Sequence, residues 1–195
     1  MHSALKEQLL GLKDLNQQMS QEATNLTRAL KGDSKMQGNW GELVLERVLE
    51  KSGLEKNREY FVQKSFMLDD GSRVLPDVVL HLPNNKRMII DSKVSLTDYE
   101  RLVNAEEHEK AIHLKAHVNS IKKHIDQLSE KSYQDLYDIE SPDFVLMFIP
   151  IEPAFAIAVS DDNVLYNKAF AKNIVIVTPS TLLATLRTID SMWNN

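Results

Sequence analysis

The sequence predicts an α/β domain with a mixed sheet, preceded by a long coiled-coil-like N-terminal helix, and three observations carry that prediction. Short β-rich runs alternate with amphipathic charged stretches between residues 36 and 195. Two of those runs, residues 144–149 and 174–177, are continuously apolar, as strands covered on both faces are. Residues 1–35 contain no proline and no β-rich run, and their apolar residues are evenly spaced.

In that first segment Leu5, Leu9, Leu12, Met19, Ala23, Leu26 and Leu30 follow a 4-3-4-3 rhythm broken only by Asn16. Such a stripe is a coiled-coil seam or a docking face, and an Asn at an a position fixes register and oligomer state. The expectation is a homo-oligomer formed through this helix. Gly32-Asp33-Ser34 closes the segment, which puts the boundary near residue 35. A helix over residues 40–52, stopped by Gly53, opens the second domain, residues 36–195. Strands are expected over 60–68, 74–82 and 86–94, joined by Asp69-Asp70-Gly71-Ser72 and by Pro83-Asn84-Asn85 as an antiparallel meander. Thr97 begins one or two amphipathic helices reaching residue 131. The apolar strand 144–149 follows, then short helices over 154–159 and 165–171, the strand 174–177 and a closing helix over 179–193.

Composition narrows the chemistry. The 195 residues are 43% hydrophobic, enough for one core and an appendage, and no run approaches the ~20 apolar residues of a membrane span. With no secretory signal either, the chain reads as cytoplasmic and out of contact with membrane. Without a single cysteine there is no disulfide, thiolate nucleophile, iron-sulfur cluster or cysteine zinc site, so any metal is held by oxygen or imidazole. The formal charge of −5 argues mildly against a nucleic-acid coat protein and is compatible with an acidic cation site. The acidity lies in the second domain: residues 1–35 carry five basic and four acidic groups, leaving 18 against 24. No phosphate-cradling glycine motif is present, and a nucleotide cofactor has no support.

Residues 76–96, PDVVLHLPNNKRMIIDSKVSL, carry the sharpest signal, because Asp77, Asp91 and Lys93 interrupt otherwise buried strands. If Pro83-Asn84-Asn85 is a three-residue loop, Leu82 pairs with Lys86 and Asp77 stands opposite Asp91. Leu75, Asp77 and Val79 then share a face with Ile89, Asp91 and Lys93, while Val78, Leu80, Leu82, Met88 and Ile90 form the core face. Opposed carboxylates ~5 Å apart repel by about 3 kcal/mol at an effective dielectric near 20. Either Lys93 neutralises them as a structural ion pair, or a divalent cation does. Mg²⁺ takes one or two carboxylates with waters, and the Ser92 carbonyl adds an oxygen ligand. Lys93 is then left to activate water or stabilise a phosphate, an arrangement suited to phosphodiester hydrolysis.

Pro76-Asp77, thirteen residues, then Asp91-Ser92-Lys93 resembles the PD-(D/E)xK motif of the restriction-endonuclease-like superfamily, whose αβββαβ core matches the inferred element order. The resemblance adds a glutamate on the first helix, Glu42 in QGNWGE, with Glu46 in reserve one turn later. QGNWGE, PDVVLHLP, IIDSKVSL, HVNSIKKHIDQLSEKSY, VLMFIPIEPAF and TPSTLLATLRTI together resemble the RmuC family of bacterial DNA recombination proteins. That resemblance implies a Mg²⁺- or Mn²⁺-dependent deoxyribonuclease limiting rearrangement at inverted repeats. Asp77, Asp91 and Glu42 would be its metal ligands and Lys93 its catalytic lysine. It also implies that full-length members carry a membrane anchor and a long coiled coil, so that this chain holds the end of the coiled coil and the nuclease-like domain. The alternative is a non-catalytic DNA-binding or scaffold module that oligomerises through its first helix.

Three further features have plainer readings. His113, His117 and His124, with Lys115, Lys122 and Lys123 nearby, read as a solvated basic face able to meet DNA backbone rather than a zinc site. Glu152 follows an apolar strand, which makes it a secondary site candidate or a helix start. Trp40 and Trp193 read as core anchors.

Overall fold

A computed structural model describes residues 34–62, 77–92, 96–130 and 144–194, together with Gln21, Asn25, Arg28 and Ala29. Those four are helical and exposed, and they fall between the seam positions of the heptad pattern. The rest of the heptad segment, the expected Asp70-Gly71 turn and Lys93 lie outside the described residues.

The order is α1 (Ser34–Lys51), β1 (Tyr60–Val62), β2 (Val78–Leu82), β3 (Lys86–Asp91), α2 (Thr97–Asn104), α3 (Lys110–Glu130), β4 (Val145–Phe148), α4 (Glu152–Asp161), α5 (Leu165–Ala171), β5 (Ile174–Val177) and α6 (Pro179–Asn194). The first helix begins earlier than its apolar pattern predicts, and the expected charged helical region is divided by a 3₁₀ turn at Glu107–Glu109. No helix among the described residues is long and apolar enough to cross a membrane.

The five strands form one mixed sheet in sequential order. β1, β2 and β3 are antiparallel, as the hairpin signals predict. The long α2–α3 crossover makes β3 and β4 parallel, and α4–α5 does the same for β4 and β5. Both faces are covered. Val78, Leu80, Ile90, Leu146, Phe148 and Val177 pack against Leu45, Val48 and Leu49 of α1 and Leu182 and Leu186 of α6. On the other face Met147, Ile174 and Ile176 pack against α2, α3, α4 and α5. Gly53 ends α1 at φ 91°, where a Cβ would stand 2.8 Å from Asp190 Oδ2 of α6. Glycine thus serves there both backbone and close packing.

The β2–β3 loop has the expected three residues, and Leu82 pairs with Lys86. Asn84 and Asn85 hold φ of 68° and 60°, the left-handed conformation that Asn tolerates best among non-glycine residues.

Candidate metal and catalytic site

The pairing fixed by that loop runs Leu82↔Lys86 to Val78↔Ile90, so the next level brings Asp77 to Asp91. Asp91 is also level with Met147 of β4. The two carboxylates therefore sit where the antiparallel hairpin meets the parallel strands, at the carboxyl end of β3 and β4. Ligand sites of open α/β sheets lie at such ends. Asp91 shares the face of Ile89 and Met147, and both carboxylates are buried, at 7% and 2% exposure. Burial leaves the pair little water to screen its repulsion.

Ser92 holds Asp77. Its backbone N–H donates to Asp77 Oδ2 at 2.7 Å and its hydroxyl to the same oxygen at 3.1 Å. Two buried carboxylates and the carbonyl oxygen of Ser92 are hard donors, so the set fits a small divalent cation such as Mg²⁺ or Mn²⁺ with waters completing its shell.

Glu42 is not gathered with them. Among the described residues no group of three or more histidines and carboxylates is placed to hold a metal ion. The first turns of α1 do reach the correct end of the sheet: Trp40 packs against the α2–α5 core, and a Cβ on Gly41 would meet Pro150 Cγ at 3.5 Å. α1 buries Leu45, Val48 and Leu49 instead, and this phase leaves both Glu42 and Glu46 exposed.

The histidine face divides. His117 is fully buried, not solvated, with its Nε2–H donating to the Ala154 carbonyl at 2.8 Å and its ring 5.5 Å from that of Tyr99. Burial lowers its pKa, opposed by the Ala154 hydrogen bond and the nearby Asp98 charge. His117 is thus a core histidine pinning α4 to α3. Lys122 does face outward and pairs with Asp162 at 2.9 Å. Glu152 has a structural task, accepting the Ser180 N–H at the start of α6 at 2.8 Å. Trp193 is 43% exposed rather than a core anchor, and its indole N–H donates to the His81 carbonyl. The pattern along the chain also missed Glu100, buried at 4% and bonded through Oε1 to Asn104.

The RmuC family model matches residues 1–195. The chain belongs to the RmuC family. It is 50% identical over 192 residues to the DNA recombination protein RmuC homolog of Vibrio cholerae, covering 98% of this chain and 37% of that protein. Against the Pseudomonas aeruginosa homolog the identity is 52% over 193 residues, covering 97% and 42%. Against DNA recombination protein RmuC of Escherichia coli K12 it is 49% over 190 residues, covering 97% and 40%. The chain thus spans about two fifths of the length of these curated RmuC relatives. No solved structure matches it.

Proposed function

We propose that this RmuC-family domain is a metal-dependent DNA nuclease of the PD-(D/E)xK type, acting in recombination and limiting rearrangement at inverted repeats. The observation that carries the reading is the β2–β3 register, which runs to Val78↔Ile90 and so brings the buried Asp77 and Asp91 to neighbouring places at one end of the sheet. Two buried carboxylates gathered at one end of the sheet are the hard oxygen donors that Mg²⁺ and Mn²⁺ take. The recombination role is supported by the names of the relatives.

In this reading Asp77 and Asp91 hold Mg²⁺ or Mn²⁺, Ser92 supplies a further oxygen, and Glu42 acts through water. A bound divalent cation supplies charge neutralisation at the phosphate and a more acidic water. Lys93, two residues beyond Asp91 in the chain, orients that water or stabilises the phosphate charge. DNA is the partner.

The test is Mn²⁺ calorimetry beside plasmid nicking on wild type, Asp91→Asn and Lys93→Met. Asp91→Asn should lose both metal heat and nicking. Lys93→Met should keep metal binding and lose nicking, since the lysine is no ligand. Undiminished nicking by Asp91→Asn would sink the assignment.

A second reading, a non-catalytic DNA-binding or scaffold module, draws support from the Ser92 hydrogen bonds to Asp77, which give that carboxylate a structural use. Both readings include self-association through the seam from Leu5 to Leu30, because an isolated helix with that stripe needs an apolar partner. Sedimentation of a chain lacking residues 1–30 should show a smaller species. An unchanged oligomeric state would make the seam a docking face.

A further inference from the structure

We infer that Ser92 is a positioning residue, a clamp that fixes the carboxylate plane of Asp77 and thereby the geometry of the cation site. The inference rests on the nuclease reading and extends it to a residue whose side chain that reading does not use.

The ladder explains why Ser92 can do this. In an antiparallel sheet successive residues of a strand address alternate neighbours. His81 N–H donates to the Glu59 carbonyl, so the odd residues of β2 bond toward β1 and its even residues toward β3. Val78 therefore exchanges ladder bonds with Ile90, and by the same alternation the N–H and C=O of Ser92 both address β2. In the sequence Asp77 is preceded by Pro76, a residue with no N–H to offer a ladder. The Ser92 N–H goes instead to Asp77 Oδ2, and the hydroxyl joins it on the same oxygen.

Two donors on one oxygen of a buried carboxylate restrain its rotation about χ2, and an aligned carboxylate loses less entropy on coordination than a rotating one. Alanine at this position has no hydroxyl, valine replaces it by a methyl, and threonine keeps it; all three retain the backbone donor. Threonine and valine have the same shape, so their difference reports the hydroxyl alone.

The experiment is Mn²⁺ calorimetry and thermal melting of the full chain as wild type, Ser92→Ala, Ser92→Thr and Ser92→Val. The expected result is roughly tenfold weaker Mn²⁺ binding in Ser92→Ala and Ser92→Val, the scale on which outer hydrogen bonds tune metal sites. Ser92→Thr should bind within about threefold of wild type. Should Ser92→Ala unfold, the Thr and Val pair decides alone. Equal affinities in Thr and Val, with only melting temperatures altered, would make Ser92 a mere ladder terminator and overturn the clamp. Absence of Mn²⁺ binding by wild type would instead overturn the cation reading itself, and the clamp with it.

Discussion

The two halves of the sheet are built differently. In the parallel half β4 reads Val-Leu-Met-Phe and β5 reads Ile-Val-Ile-Val, with no polar side chain in either strand. The antiparallel half carries Lys86 and Arg87 at the start of β3, a histidine in β2, and at its open end Asp77, Asp91 and Ser92. The parallel half therefore supplies stability through transfer of apolar surface, whereas in the proposed reading the end of the hairpin brings together two carboxylates whose repulsion a bound cation would offset. Proteins break their own packing rules chiefly where chemistry requires it. The contrast teaches where to look for function in a sheet that has a layer of helices on each face.

Substitutions on the two sides should move stability in opposite directions. The largest effect is expected from Phe148→Ala, since Phe148 is fully buried between β4 and the α1–α6 layer. Its loss should cost about 3–5 kcal/mol in urea unfolding, and a cost below about 1 kcal/mol would erase the distinction between the halves. Asp91→Asn, measured without divalent cations, should leave stability unchanged or raise it by about 1–2 kcal/mol. It removes a repulsion of about 3 kcal/mol but exchanges a charged hydrogen-bond acceptor for a neutral one. A loss above about 2 kcal/mol would mark a structural ion pair instead.

The smallest effect concerns pH and sharpens the picture of the parallel half. His117 has its pKa lowered by burial, so the folded protein resists a proton that the unfolded chain accepts. Its contribution is fully present above the ordinary histidine value of 6.5 and is lost as pH falls below it toward the lowered folded value. The slope approaches about 1.4 kcal/mol per pH unit between those limits. His117→Gln, which can still donate to the Ala154 carbonyl, should flatten urea-unfolding stability between pH 7.5 and 5.5, leaving the slope due to His81, whose pKa is also lowered by burial. An unchanged slope would deny His117 the role.

Much of this arrangement is legible along the chain because it is set locally. The bounds of α5 and β5 follow from apolar pattern and turn residues, and the Leu82↔Lys86 pairing follows from loop length. What was not legible depends on partners far away in sequence. His117 lies among lysines on its own helix, and only the Ala154 carbonyl 37 residues later makes it a core residue. Glu42 has a suitable place in the chain, but the phase at which α1 docks turns it to solvent, and phase is decided by Leu45, Val48 and Leu49 against strands still to come. Ser92 reads only as a carbonyl ligand between Asp91 and Lys93, and the bond from its hydroxyl to Asp77 depends on a partner across the hairpin.

Surface turns usually tolerate gains and losses of residues, but the Pro83-Asn84-Asn85 turn should not. Loss of either asparagine leaves a two-residue turn beginning with proline. The favoured two-residue turns need positive φ at their first position, and proline is locked near −65°. The chain would have to draw a strand residue into the bend, sliding one strand past the other and parting Asp77 from Asp91. Two small amides more than about 16 Å from the acidic end, five strand residues at about 3.3 Å each, thus act as the spacer that tells two aspartates where to meet. Length changes in this turn should be as rare among working relatives as changes of the aspartates themselves.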